Sequence, residues 1–301
     1  MIKKGVYKES MMKKIIVVGS LNMDMVIHAP YCPQGGETLT GSGFMTNCGG
    51  KGLNQAVAAA KLGGRVSICG RLGNDAFGNT ILSNLDGYGV DTQFVFRAEG
   101  VSTGIAFIMV TDGENRIILD AGANAVLTTK DIDMALASAN EGDIYLTQSE
   151  NPVEVIGYGL RKAKERGMFT TFNPAPAKTE SKQFFRYADL IVPNESEADL
   201  LGGKEEMFNA GARVVITTLG KKGYEIATPE KTERYPCIRV QATDTTGAGD
   251  TLCGGLAAGL ARGESLEQAI SFASKAASLA CTRQGAAQSI PTYKEVKGFL
   301  G

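Results

Sequence analysis

The stretch Asp244-Thr-Thr-Gly-Ala-Gly-Asp250-Thr251, running into Leu252-Cys-Gly-Gly-Leu-Ala-Ala-Gly-Leu260, limits the fold more than any other part of the chain. A helix made of so many small residues has poor intrinsic stability, so it belongs where neighbouring elements press closely against it. Glycines at 247 and 249 let the preceding backbone turn its N–H groups toward one point, and the positive end of the helix dipole adds to them. That geometry makes an anion pocket, yet Asp250 sits inside it. A carboxylate there can take a proton from a hydroxyl while the amides stabilise the phosphoryl group under attack. The alternative is that Asp250 is a plain first-turn helix acid.

Elsewhere the pattern is α/β. Lys14-Ile-Ile-Val-Val-Gly19 reads as a buried parallel strand. From Arg65 onward strands and helices alternate: a strand at 66–69, a helix at 76–85, a strand at 144–146, a helix at 153–165, strands at 169–172 and 213–218, and a long helix at 266–280. Two passages break the alternation. Residues 25–47 are short segments divided by Pro30, Pro33, Gly35, Gly36, Gly41 and Gly43, and in 92–120 Thr111-Asp-Gly-Glu-Asn115 is a hairpin signal between two apolar runs. These passages are predicted to form a small β-sheet lid over the ends of the main strands, drawn from about 21–47 and 92–120.

Polar residues recur just after the strands: Asn22 and Asp24, Gln148 and Glu150, Asn173, and Asn194 with Glu195 and Glu197. Open α/β sheets bind ligands outside the carboxyl ends of their strands, so the recurrence points to a site. Turn shaping by Asn and Asp, and ordinary first-turn helix acids, are the competing explanations. The cluster Asn47-Cys-Gly-Gly-Lys51-Gly-Leu-Asn54-Gln-Ala56 enters an alanine-rich helix and suits an anion or a polyol. It is not a P-loop, because Gly52 follows Lys51, and it arrives too late after the first strand for a dinucleotide fingerprint. Thr218-Leu-Gly-Lys-Lys-Gly223 fits either a nucleotide loop or a common glycine turn.

Charge narrows the partners. A net charge of −1 gives no general pull toward nucleic acid or a membrane surface, and no apolar stretch is long enough to cross a bilayer. Small molecules and protein are the expected partners. Six separated cysteines without a C-x-x-C pair, and a single histidine, His28, argue against a zinc or disulfide framework. Residues 1–12 are polar and basic and lack the apolar centre of a secretory signal, so a disordered extension and a cytoplasmic protein are expected.

From about residue 13 to the end, the chain resembles the ribokinase-like carbohydrate kinases. The resemblance rests on Gly19-Ser-Leu-Asn22-Met-Asp24, Gly36-Glu-Thr38, Gly49-Gly-Lys-Gly-Leu-Asn-Gln-Ala56, Ala121-Gly-Ala-Asn124, Asn173-Pro-Ala-Pro-Ala177, Pro193-Asn-Glu-Ser-Glu197 and the stretch 244–251, all in family order. It implies one domain over 13–301, a three-layer α/β/α unit with a mostly parallel central sheet and a small β lid. It also implies ATP-dependent phosphorylation of a sugar, with D-ribose at its 5-hydroxyl as the expected acceptor. Asp250 would be the general base, and the amides of Gly247, Ala248 and Gly249 the anion hole. Sugar binding would fall to Asn22, Asp24, Gly50, Lys51, Asn54, Glu150 and Asp250. Nucleotide binding would fall to Asn194, Thr218, Leu219, Gly220, Lys221, Lys222, Gly223 and Gly249, with Ser274 near the adenine. Glu197 would place Mg2+ through water. A K+ activator would draw on Asp244, Thr246, Ala280, Arg283, Gly285 and Ser289, largely through backbone carbonyls, and two chains would pair through their lids. The other readings are a kinase of deoxyribose, a nucleoside or a fructose-type substrate, and a non-catalytic sugar sensor on the same fold. The polar sugar set, without an extra basic residue in these motifs, favours an unphosphorylated polyol.

Overall fold

A computed structural model describes residues 12–299. The expected extension at 1–12 falls almost wholly outside the described residues, as do the last two residues of the 13–301 domain. In chain order the first elements are β1 (Lys14–Val18), β2 (Asn22–His28), β3 (Ser42–Gly49), α1 (Lys51–Lys61), β4 (Arg65–Gly73), α2 (Ala76–Gly87) and β5 (Asp91–Ala98). There follow β6 (Gly104–Thr111), β7 (Glu114–Asp120), α3 (Thr129–Leu136), β8 (Ile144–Thr147), α4 (Val153–Glu165), β9 (Phe169–Phe172) and β10 (Leu190–Ile191). The last are α5 (Glu195–Leu200), α6 (Gly203–Asn209), β11 (Val214–Thr218), β12 (Tyr224–Ala227), β13 (Thr232–Tyr235), α7 (Ala248–Ala261), α8 (Leu266–Ala280) and α9 (Tyr293–Gly298).

Nine strands form the central sheet in the order β13-β12-β11-β10-β9-β8-β1-β4-β5. All neighbours from β11 to β5 are parallel, and β12 and β13 are added antiparallel at one edge. β1 shows how the layers arise. Ile15 and Val17 point into a core shared with α1, α2 and α7, while Ile16 and Val18 point into a second core shared with α3 and α4. A strand buried on both faces must be apolar throughout, which explains the unbroken Ile-Ile-Val-Val run. The sheet is thus the middle of three layers. From β1 the chain moves outward to β4 and β5 on one side and later to β8, β9, β10 and β11 on the other, so the order reverses beside β1. That reversal opens a crevice at the strand ends.

α7 fills the place its composition demands. Eleven of its fourteen residues are buried, so it has no solvent face to speak of. A Cβ at Gly254 would lie 2.4 Å from the Gln55 carbonyl oxygen in α1, and one at Gly259 would lie 2.6 Å from the Ala269 side chain in α8. Close approach on both sides is the reason for the glycines.

The lid is a four-stranded sheet of order β3-β2-β6-β7, with β2 and β6 parallel. Asp112 and Gly113 adopt φ of 54° and 76° in the β6–β7 turn, as a two-residue hairpin with a primed turn requires. The lid is smaller than the span 92–120 implies. β5, at 91–98, pairs in parallel with β4 and belongs to the central sheet, so the lid's second part starts at Gly104. As an edge strand β5 is only partly covered, and its broken burial pattern resembles that of a lid strand. Among the described residues no helix is long and apolar enough to cross a membrane.

Candidate active site

Asp250 is the third residue of α7 and only 7% exposed. Its position is that of a first-turn helix acid, but its carboxylate is engaged across the interface with α1. Oδ2 accepts from Asn54 Nδ2 and Oδ1 from Gln55 Nε2, each at 3.0 Å. Burying a carboxylate is costly unless such donors meet it, and two amides aimed at it form a site built around the charge. Gly247 caps the helix at φ 75°, with the Ala286 Cα only 3.1 Å from where a Cβ would stand, so only glycine fits there. The amides of Gly247 and Gly249 donate to no backbone acceptor among the described residues. The Ala248 N–H instead donates to Thr245 O at 3.2 Å, closing the turn. Two of the three expected anion-hole donors are thus free, and the third is drawn into the loop.

The expected sugar ligands converge from β2, α1 and the end of β8. Gly50 caps α1 at φ 90°, and a Cβ there would meet Ser20 O at 2.9 Å. Glu150 accepts from the Ser20 hydroxyl and, at 3.0 Å, from the Lys51 backbone N–H, so its Oε2 helps brace the start of α1. Asn22 Oδ1 accepts from Asn124 Nδ2 at 2.7 Å, and Asn124 also holds both backbone groups of Leu21. Asp24 lies on the same face of β2 as Asn22, backed by Gly49, where a Cβ would stand 2.1 Å from Oδ2. Burial, together with the charges of Glu150 and Asp250, pushes the Asp24 carboxyl up to about 7. Lys51 answers these charges: Asp250 foremost raises its affinity for a proton, burial opposes this, and Glu150 and Glu197 add to the rise. Asn54 Oδ1 is buried and accepts from nothing among the described residues. An orphan acceptor beside a carboxylate and a lysine fits a ligand rich in hydroxyl donors.

Next to this pocket lies a cleft of about 260 Å³, lined by Lys51, Asn173, Ala175, Val192, Pro193, Asn194, Glu197, Thr218, Gly247, Gly249, Asp250 and Cys253. Asn194 and Glu197 make a reciprocal capping box at α5: Asn194 Oδ1 accepts from Glu197 N, and Glu197 Oε2 from Asn194 N, both at 2.8 Å. The helix-acid explanation is therefore correct for Glu197, but it leaves Oε1 uncommitted on a residue that lines the cleft. Burial raises the Glu197 carboxyl, against the opposing pull of Asn194 N–H and Lys51. Thr218 pairs with Asn194 in an isolated bridge and is the only member of the expected nucleotide loop, 218–223, that lines the cleft itself. Gly220 and Gly223, at φ 56° and 104°, turn the chain back beyond it, and Lys222 pairs with Glu195 at 3.3 Å. Ser274 is buried in α8 and is not part of the cleft lining.

The expected K+ set gathers beside the anion hole. The N–H groups of Thr243 and Asp244 both donate to Cys281 O, tying the two loops together. Burial pushes the Asp244 carboxyl up, but donors from Thr246 and the Gly285 N–H outweigh it and hold the group below its usual range. Both Asp244 oxygens thus serve the loops, Arg283 pairs with Glu295 at 2.7 Å, and the Ser289 hydroxyl donates to Ala286 O. With these side chains committed, backbone carbonyls are the groups left for an ion.

Sequence reasoning passed over Gln55, Cys253, Ala175, Val192 and Pro193 as site residues, and noted Asn173 as a polar strand end and the start of a family motif without giving it a role. Gln55 is fully buried and joins Asp250, Asn173 and Gln148. Its signals were adjacency to Asn54 and a place in the Gly49–Ala56 motif. All six cysteines are free thiols, and burial raises that of Cys253, which makes it inert.

The model of the pfkB family of carbohydrate kinases matches residues 12–293. Ribokinase of Haemophilus influenzae is 38% identical, over 96% of this chain and 99% of its own. Deoxyribokinase of Salmonella typhi is 32% identical, over 95% and 98%. Ribokinase of Arabidopsis thaliana, solved with ribose and ATP, superposes with a TM-score of 0.87 at 31% identity, covering 96% of this chain and 99% of that one. With a buried carboxylate at the mouth of a glycine-led helix, a polyol-suited pocket and near end-to-end likeness, the chain belongs to the pfkB family of carbohydrate kinases, enzymes that transfer a phosphoryl group to a sugar.

Proposed function

We propose that the protein transfers the γ-phosphoryl group of ATP to the 5-hydroxyl of D-ribose. The observation that carries this is the setting of Asp250, buried between two amide donors where the polar pocket meets the cleft. The hydroxyl proton passes to the Asp250 carboxylate as the ribose O5–phosphorus bond forms and the bond from phosphorus to the bridging oxygen of ADP breaks. Gly247 and Gly249 offer amides to the developing charge at the positive end of α7. No covalent enzyme intermediate is required. Asn22, Asp24, Lys51, Asn54 and Glu150 hold the sugar, and Asn194, Thr218 and the turn to Gly223 hold the nucleotide. The names of the Haemophilus and Arabidopsis relatives support ribose, and that of the Salmonella relative keeps 2-deoxyribose as the second reading.

The residues fit the two ions. Among the described residues no group of three or more His, Cys, Asp or Glu is placed to hold a metal, so Mg2+ would lean on nucleotide phosphates and water, with Glu197 Oε1 as an outer partner. Bound there, it would neutralise charge on the phosphates. Carbonyls of the 244–246 and 280–289 loops would hold K+ and fix the direction of the neighbouring amides. Six free thiols suit a reducing, cytoplasmic setting.

Two chains would pair through the lid. Met45, Ile117 and Leu119 share the Asp24 face of the lid and are between 47% and 55% exposed, a sheet surface that needs a cover.

The test is ATP consumption with D-ribose, 2-deoxyribose, fructose, adenosine and fructose phosphates. Ribose is expected to exceed adenosine in kcat/KM by about 10⁴-fold, because the wrong ligand leaves buried polar groups unpaired. Equal rates would sink the ribose reading, and no turnover with any acceptor would favour a sensor.

A further inference from the structure

We propose that Gln55 is a positioning residue that holds the Asp250 carboxylate in a single orientation, with Oδ1 as its anchored oxygen and Oδ2 as the oxygen that takes the sugar proton. The inference rests on Asp250 being the base. Gln55 has no exposed surface, and every hydrogen-bonding atom of its side-chain amide is used. Nε2 donates to Asp250 Oδ1 and to Asn173 Oδ1, each at 3.0 Å, and Oε1 accepts from Gln148 Nε2 at 2.8 Å. Asn173 is held in turn, donating to Val192 O at 2.7 Å. Four elements therefore meet at one amide: α1 carries it, α7 the base, and Gln148 and Asn173 follow β8 and β9.

The two carboxylate oxygens stand in unlike settings. Oδ1 faces this chain, in which no acceptor of Gln55 is left over for a ligand and the one unpaired oxygen, Gln148 Oε1, belongs to the amide beyond Gln55. Oδ2 faces Asn54, whose own oxygen is buried and unpaired and so awaits a donor. A hydroxyl that enters beside Asn54 meets Oδ2. A carboxylate held on one side cannot rotate its free lone pairs away from that hydroxyl, and geometry of this kind governs the rate of transfer more than the affinity for substrate. Because the clamp consists of neutral amides, it fixes the base without a competing charge.

The test is a double-mutant cycle of Gln55→Leu and Asp250→Asn, read as kcat and KM on D-ribose, or on whichever sugar the wild type phosphorylates best. Gln55→Leu is expected to lower kcat about 10–100-fold with KM for sugar and ATP changed less than about 3-fold. In the Asp250→Asn background the same substitution should change kcat less than about 3-fold, since the base through which it acts is gone. An equal loss in both backgrounds, an unchanged kcat, or a raised KM alone would overturn the assignment. Gln55→Met keeps the length of the side chain without its amide, and it carries the same expectation if the leucine variant melts below the assay temperature. A wild type active on another sugar sinks the ribose reading and leaves this one testable, whereas a wild type inert toward every sugar overturns both.

Discussion

Asn54 and Asp250, 196 residues apart in sequence, meet at 3.0 Å, the amide of one donating to the carboxylate of the other. In the proposed reaction, sugar binding and proton abstraction are therefore coupled through one hydrogen bond between α1 and α7. Neither helix can shift without altering both.

Asp250→Asn keeps the shape but removes the basic oxygen. Turnover should fall by about 10²–10⁴-fold, the usual span for loss of a positioned base, with ribose and ATP affinities changed far less. An asparagine has one acceptor for the two amides of Asn54 and Gln55, so a mismatch costing about 1–3 kcal/mol should appear as a lower melting temperature. Near-normal turnover would reduce Asp250 to a helix-end acid.

Asp24→Asn should stabilise the protein in alkaline solution while impairing it. The Asp24 carboxyl is raised to about 7 in the fold, whereas in the unfolded chain it ionises near 4. Between those values the folded state holds a proton that the unfolded state has released, so this group makes stability fall as pH rises from about 4 to 7. Its penalty is complete above that window. The variant should therefore melt higher than wild type at pH 8 and much the same at pH 4. Ribose binding should weaken about 10–100-fold, for want of a charged acceptor. A melting difference independent of pH would contradict the burial of this charge.

Two glycines of one helix should respond in opposite ways. A methyl at Gly254 meets the Gln55 backbone at 2.4 Å, so Gly254→Ala should lose about 1–3 kcal/mol of stability through overpacking. Nothing lies within 4 Å of the same group at Gly249, which lines the cleft, so Gly249→Ala should keep its melting temperature and lose catalytic efficiency. Melting curves and kinetics on both variants check the contrast.

Replacing potassium with a bulky organic cation should lower turnover with little change in ribose KM, and potassium added back should restore it. Equal rates in the two salts would remove the cation from the scheme.

Ile117 pairs with Ile108, which pairs with Val26, on the face of the lid that also carries Asp24. If a second lid covers this face, Ile117→Lys should give monomers in sedimentation at micromolar concentration where the wild type gives dimers. A monomeric wild type would refute pairing.

Much of this was legible in the chain, and the exceptions have physical causes. α4, β9 and α8 lie where their apolar periods begin and end, because a two-faced core enforces those periods. The glycines of the Asp244–Thr251 stretch announced a turn that leaves the Gly247 and Gly249 amides free at the head of α7. β5 was misplaced because an edge strand buries too little to declare which sheet owns it. Gln55 was missed because its importance lies in meeting three other residues, from α7 and from the ends of β8 and β9, none of them near it in sequence. Ser274 is buried within α8 and outside the cleft lining, a fact that no motif carries.

Only three residues, Gly19, Ser20 and Leu21, separate β1 in the central sheet from β2 in the lid, and the strand that follows starts with Asn22 and Asp24. The lid is thus an outgrowth of the central-sheet strand beside the crevice rather than a detachable cap. A chimaera that took its lid from a relative would import that relative's choice of sugar and its mode of pairing as one inheritance. With the lid proposed both to hold the sugar and to pair two chains, substrate taste and quaternary structure become, for an engineer, a single trait.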